Sequence, residues 1–235
     1  RRRTPHRPST IPHPDRPSPY PACSMARRPV VYGLDIETDT SEDGLDPRVA
    51  PVVTVALSLP GHDEVFSGRE TTLLHDLAVR LRDLPAGVIA TWNGAAFDLP
   101  FLAHRAGLHE MDLGLRLRRD PTLVTREPRP GLSGAYRGAW FGHRHLDAYR
   151  MYKGDVGPVL RVSCSLKSIA RLVGLAPVEV DRTRIHDLSR EALHAYASSD
   201  ARLARVLTER RMPGANRFVD RLDLVDPAAG EDAIA

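Results

Sequence analysis

Five side chains, widely separated in the sequence, share one chemistry. Asp35 and Glu37 stand two apart in Val30-Val31-Tyr32-Gly33-Leu34-Asp35-Ile36-Glu37-Thr38, Asp98 precedes an apolar run, and Tyr196 and Asp200 stand four apart. Two apart on a strand, or four apart on a helix, means the same face. Like charges held that close resist ionising together unless a cation sits between them. Hard oxygen ligands of this kind suit Mg²⁺ or Mn²⁺. Two such ions roughly 3.5–4 Å apart clamp the attacking and leaving oxygens of a phosphoryl displacement. Each piece alone also has a plain reading. Asp35 and Glu37 can be acids on a strand that runs out into solvent, and Asp98 a carboxylate that complements a helix N-terminus.

The elements that must position these groups follow from periodicity. Residues 30–38 read as a strand with Tyr32, Leu34 and Ile36 on one face and Val31, Gly33, Asp35 and Glu37 on the other. Residues 52–59 and 63–66 read as two further strands, with short links that imply an antiparallel meander. Leu73, Leu74, Leu77, Ala78 and Leu81 predict a helix over 70–83. Residues 88–92 then form a strand parallel to the first, because a helix precedes it. A second helix runs from Asp98 or Leu99 to Gly107, with Pro100 tolerated in its first turn. Residues 112–139 read as irregular, either a solvated loop or hairpin or a phosphate-contacting flap, and residues 139–147 as the last strand. Ser165 caps a helix closed by Gly174, and Ser189 caps a long one from Glu191 to about Arg211.

Composition narrows the setting. A hydrophobic fraction of 42% over 235 residues is enough for one domain with a full core. No apolar run is long enough to span a membrane. Cys23 and Cys164 suggest neither a disulfide framework nor a zinc site, which fits a reducing cytoplasm. The net charge is +3, but residues 1–24 hold five arginines and one aspartate, so the remaining chain carries about −1. Lys153 and Lys167 are the only lysines. Residues 1–28 are a Pro- and Arg-rich stretch with little to bury and are expected to be disordered, with either Met25 as the natural start or the stretch a dispensable tail, and a transit peptide as the runner-up. The domain is expected over 29–212, with a flexible tail over 213–235.

Taken together and in order, the motifs resemble those of the DEDD exonucleases of the ribonuclease H-like fold. The first resembles Leu34-Asp35-Ile36-Glu37-Thr38, the second Trp92-Asn93-Gly94-Ala95-Ala96-Phe97-Asp98, and the third Tyr196-Ala197-Ser198-Ser199-Asp200. The nearest likeness is to the 3′–5′ proofreading domain of family B DNA polymerases, where a His-x-Asp strand like His145-Leu146-Asp147 follows a flap. It spans residues 29–210. Tyr196 fits the tyrosine subtype; the histidine subtype would need His at position 195, where Ala195 stands, and His194 lies on another face.

The resemblance implies an α/β, three-layer fold: a mixed central sheet, with a meander of the first three strands plus parallel strands, flanked by helices. It implies a metal-dependent 3′–5′ exonuclease using two ions, Mg²⁺ or Mn²⁺. Asp35, Glu37 and Asp200 would bind the catalytic ion, with Asp35 bridging to a second held by Asp98, and Tyr196 would orient the attacking water. Thr38, Asn93, Phe97, Arg126 and Arg129 would contact nucleic acid, although Phe97 and Asp147 read equally as core. The chain stops soon after the third motif, so a stand-alone nuclease is expected, with a possible protein partner in replication or repair. With no strong basic patch outside 116–137, a single-stranded 3′ end is the natural substrate, DNA before RNA. An RNA 3′-exonuclease and an inactive nucleic-acid-binding module are the alternatives.

Overall fold

The computed structural model describes residues 28–122 and 134–220. Seven strands form one sheet: β1 (Val31–Thr38), β2 (Val52–Leu59), β3 (His62–Ser67), β4 (Val88–Thr91), β5 (Leu115–Arg119), β6 (Tyr136–Trp140) and β7 (His143–Asp147), in the spatial order β3-β2-β1-β4-β7-β6-β5. Five helices cover it: α1 (Glu70–Asp83), α2 (Asp98–Leu108), α3 (Ala148–Leu160), α4 (Leu166–Leu172) and α5 (Arg190–Ala215). The first three strands form the expected antiparallel meander, and β4 pairs in parallel with both β1 and β7. The expected α/β architecture of a mixed sheet between helices is what the chain adopts. The middle position belongs to β4, with β1 beside it.

Alternation along β1 divides the interior. Tyr32, Leu34 and Ile36 pack with Val55 and Leu57 against Leu73, Leu74, Leu77 and Leu81 of α1 and Leu99, Phe101 and Leu102 of α2. Val31, on the opposite face, packs with Val88, Ala90 and Leu146 against α3, α4 and α5. On that face the residues under α5 are small. Ala56, Ala197 and Ala201 form one cluster, and a Cβ on Gly33 would collide with the Ala201 carbonyl oxygen. Gly33 therefore lets α5 lie directly on β1, which is how residues of a distant helix reach the acids of this strand.

Two segments differ from the sequence expectations, and a third takes one of the alternatives. Residues 112–139 contain the antiparallel pair β5–β6, the hairpin reading of this stretch, with Arg116, Arg118 and Arg119 exposed at the sheet edge. The expected single strand over 139–147 is the end of β6 and all of β7, joined by a turn at Phe141-Gly142 with Phe141 in the left-handed region (φ 50°). Residues 213–220, expected as flexible tail, continue α5 to Ala215 and return to the sheet. Val219 bridges Leu146, and the Asp220 carboxylate accepts from the Gly138 N–H at 3.0 Å and lies 3.2 Å from His145 Nδ1. Helix α3 has no sequence periodicity and contains Gly154, Gly157 and Pro158. The Asp147 side chain caps it, and Tyr152 donates to the Leu207 carbonyl of α5. The expectations for residues 1–27, including Cys23 and Met25, lie outside the described residues, as do Arg126 and Arg129.

Candidate active site

The carboxyl ends of β1 and β4 diverge. They pair only over Val31–Gly33 and Val88–Ala90; thereafter β1 leads across to β2, and β4 leads into a turn and α2. A crevice at such a switch point is where open α/β sheets place their ligands. Asp35 and Glu37 occupy the β1 side. Asp98 enters from the first residue of α2, where it accepts from the Ile36 backbone N–H, so it reaches the end of β1 from the far wall. Tyr196 and Asp200 come down from α5, and the Tyr196 hydroxyl donates to Asp200. Asp98, Tyr196 and Asp200 are 4%, 2% and 6% exposed, so their polar ends are committed to this crevice.

Electrostatics show how tightly the acids face one another. Burial, then the charges of Glu37, Asp200 and Asp98, push Asp35 well above the usual carboxylate range. Burial and then Asp200 push Glu37 up to about 8. Burial lifts Asp98 to about 7. Asp35, by contrast, pulls Glu37 down, because the two carboxyls lie close enough for one to donate to the other. Burial raises Asp200 as well, against the pull of Lys167, and raises the Tyr196 phenol strongly. Thr54, directly across β2 from Glu37, keeps a buried hydroxyl with no partner among the described residues.

This donor set suits divalent metal: four oxygen-only side chains, all pushed upward by burial and by one another's charge. Among the described residues, no group of three or more His, Cys, Asp or Glu side chains is already placed so that it could hold a metal ion. The cation that does occupy the crevice wall is Lys167. Its ammonium bonds the Asp200 carboxylate and lies 4.5 Å from the centre of the Tyr196 ring. Sequence reasoning read residues 166–173 as a packing helix and missed this group. The signal was in the composition, since a chain that uses arginine almost everywhere has Lys167 as one of two lysines.

Two ambiguous residues find definite places. Asp147 is a clamp: its carboxylate accepts from the N–H groups of Asn93 (2.8 Å), Ala95 (3.3 Å) and Tyr149 (3.1 Å). It thereby fixes both the turn before Asp98 and the start of α3. Phe97 is half-buried against the core, its ring 5.2 Å from that of Phe101. Asn93 adopts φ 70°, a conformation asparagine tolerates, and its carbonyl accepts from Ala96 and Phe97. The Thr38 hydroxyl is buried and donates to the Gly44 carbonyl at 2.6 Å. His194 faces away from the crevice, with Nε2 3.0 Å from the Ser67 hydroxyl.

Known proteins share parts of this sequence and its fold. Residues 58–169 match the sequence model of the family B DNA polymerase exonuclease domain, a span that contains Asp98 and Lys167. Over 147 residues the chain is 28% identical to the catalytic subunit of DNA polymerase epsilon from Saccharomyces cerevisiae, covering 60% of this chain. Over 193 residues it is 25% identical to DNA polymerase 2 of Aeropyrum pernix, covering 78% of this chain. The chain spans only 6% of the length of the first of these and 23% of the second. The family B DNA polymerase of Pyrobaculum calidifontis shares the fold, with a TM-score of 0.62 and 20% identity over 79% of this chain and 25% of its own. Over residues 58–169 the chain is similar in sequence to the exonuclease domain of family B DNA polymerases, and its fold is theirs.

Proposed function

We propose that the protein is a metal-dependent 3′–5′ exonuclease of the tyrosine subtype that trims single-stranded DNA. The observation that carries this reading is the convergence of Asp35, Glu37, Asp98 and Asp200 in one crevice, with Glu37 and Asp98 raised to about 8 and about 7. Asp35, Glu37 and Asp200 would hold one Mg²⁺ or Mn²⁺ ion, and Asp35 and Asp98 a second. Bound there, divalent cations supply charge for the phosphate and leaving oxygen and lower the pKa of water.

The remaining steps belong to the protein's own groups. Tyr196 keeps its proton throughout the working range, because burial raises its phenol far above neutrality. It therefore orients the attacking water by hydrogen bonding and is not a base. Lys167 holds Asp200 and Tyr196 in register. Asp147 fixes the turn that delivers Asp98. DNA is the favoured polymer because the relatives are DNA polymerases, and a short single strand because the body carries little net positive charge.

The test is digestion of 5′- and 3′-labelled oligonucleotides, DNA and RNA, single- and double-stranded, with Mg²⁺ or Mn²⁺ and with chelator. Stepwise loss from the 3′ end of single-stranded DNA, abolished by chelator and by Asp35→Asn, is the expected result. Binding without shortening under either metal overturns the reading, and preferential loss of RNA overturns the choice of polymer.

A further inference from the structure

Between α4 and α5 the chain makes two short 3₁₀ turns over Arg182–Asp187, kinked at Arg184, which the hydrophobic pattern does not announce. The placement of this segment is specific. Asp181 caps it by accepting from the Thr183 N–H (3.0 Å) and hydroxyl (2.7 Å), and Ile185 anchors it at 3% exposure. His186 Nδ1 lies 2.8 Å from the Thr40 hydroxyl, three residues past Glu37. The segment is thus fastened beside the carboxyl end of β1, at the rim of the crevice.

Its cations are used differently. Arg184 pairs with Asp187, Nε to Oδ2 at 2.7 Å. Arg182 is exposed and has no hydrogen-bond or ion-pair partner among the described residues, yet its charge acts on Glu37, Tyr196 and Asp200. Lys167, the other cation bearing on Asp200, is already bonded to that carboxylate. Arg182 therefore stands on a segment fastened at the rim, its guanidinium without a partner among the described residues and its charge within reach of the acids. A planar fork of this kind suits a phosphate oxygen pair.

We propose that Arg182 grips the scissile phosphodiester of the substrate's 3′ end, so that it is a substrate-binding residue of this site. The proposal rests on the exonuclease reading above. Held against a guanidinium on one side and the metal-bearing acids on the other, the strand is drawn into a crevice whose own carboxylates would repel it. Because the contact is to phosphate, it serves every base equally.

The test separates this proposal from the activity it rests on. Binding of a 5′-fluorescein single-stranded DNA oligonucleotide is measured by anisotropy in Ca²⁺ over a range of salt, for wild type, Arg182→Ala, Arg182→Lys and Arg182→Glu. Hydrolysis in Mg²⁺ is measured on the same proteins, with thermal unfolding to show that each is folded. Arg182→Ala is expected to weaken binding about 5- to 10-fold and to lower the salt slope by about 0.7, the single-strand value for one phosphate contact. KM is expected to rise with kcat little changed, the pattern of uniform binding. Arg182→Lys falls between the two, and Arg182→Glu is weaker than alanine. Unchanged affinity and salt slope in Arg182→Ala overturn the proposal, even where hydrolysis proceeds. A wild type that binds through Arg182 but never shortens the strand overturns the exonuclease reading and leaves this contact standing. A wild type that does not bind the oligonucleotide overturns both.

Discussion

Lys167 and Asp200 form an ion pair inside the crevice, and the same ammonium lies over the ring of Tyr196. One cation thus fixes the two α5 side chains on which the third motif depends. Lys167→Met should leave Asp200 buried beside the other acids without its counter-charge. Activity is expected to fall on the order of 10²-fold, the scale for loss of one charged group at a reacting centre, mainly in kcat. Steady-state kinetics of strand shortening check this, and a variant within twofold of wild type would show that the pair is merely structural.

The acid cluster predicts an inverted pH dependence for the metal-free protein. Glu37 and Asp98, raised to about 8 and about 7, keep protons in the folded state that the unfolded chain releases above about pH 4. Their contribution is fully present in acid and is lost as pH rises through 7 to 8. In chelator, thermal stability should therefore decline between pH 5 and pH 8. Asp35→Asn should flatten the decline by removing a carboxyl that is itself raised, and added Mg²⁺ should stabilise more as pH rises. A melting profile that is level across this range without metal would refute the upward shifts of the buried acids.

Asp147 is assigned to the turn and not to metal. Asp147→Ala removes the acceptor for three backbone N–H groups at once, with an expected cost of about 2–4 kcal/mol from the unsatisfied donors. Activity should fall with it, because the Asn93–Phe97 turn delivers Asp98. Metal affinity, followed by calorimetric titration, should hold in Asp147→Asn. A large loss of affinity there would make Asp147 a ligand.

Much of this was legible from side-chain pattern. Helix α1 spans Glu70–Asp83 as its five apolar residues predict, and Ser165 and Ser189 cap α4 and α5 as expected. The meander and the parallel β4 were legible too, since chain direction follows from link length. What escaped was held by tertiary contact. Helix α3 runs through Gly154 and Pro158 against local propensity, sustained by its Asp147 cap and the Tyr152–Leu207 contact. The acids were legible because spacing puts them on common faces. Lys167 was not, because its partner lies on another helix and no spacing rule connects them.

Gly33→Ala should be the most damaging small substitution on β1. A methyl group there meets the Ala201 carbonyl, which is backbone and has little room to yield. The expected cost is about 1–3 kcal/mol in denaturant unfolding. Activity should fall further than stability alone explains, because α5 must shift and carry Tyr196 and Asp200 away from β1. Wild-type stability in this variant would mean that the helix and the strand are not in contact.

That seat of Ala201 on Gly33 also sets an order of assembly. The first-motif acids belong to β1, and their partners on α5 follow every other strand of the sheet in the chain. Closing so long a loop costs entropy before any contact repays it. A chain still emerging from the ribosome therefore has the acids of β1 but no crevice. The catalytic constellation comes into being in the same event that completes the fold, and a partly folded molecule is by construction an inert one.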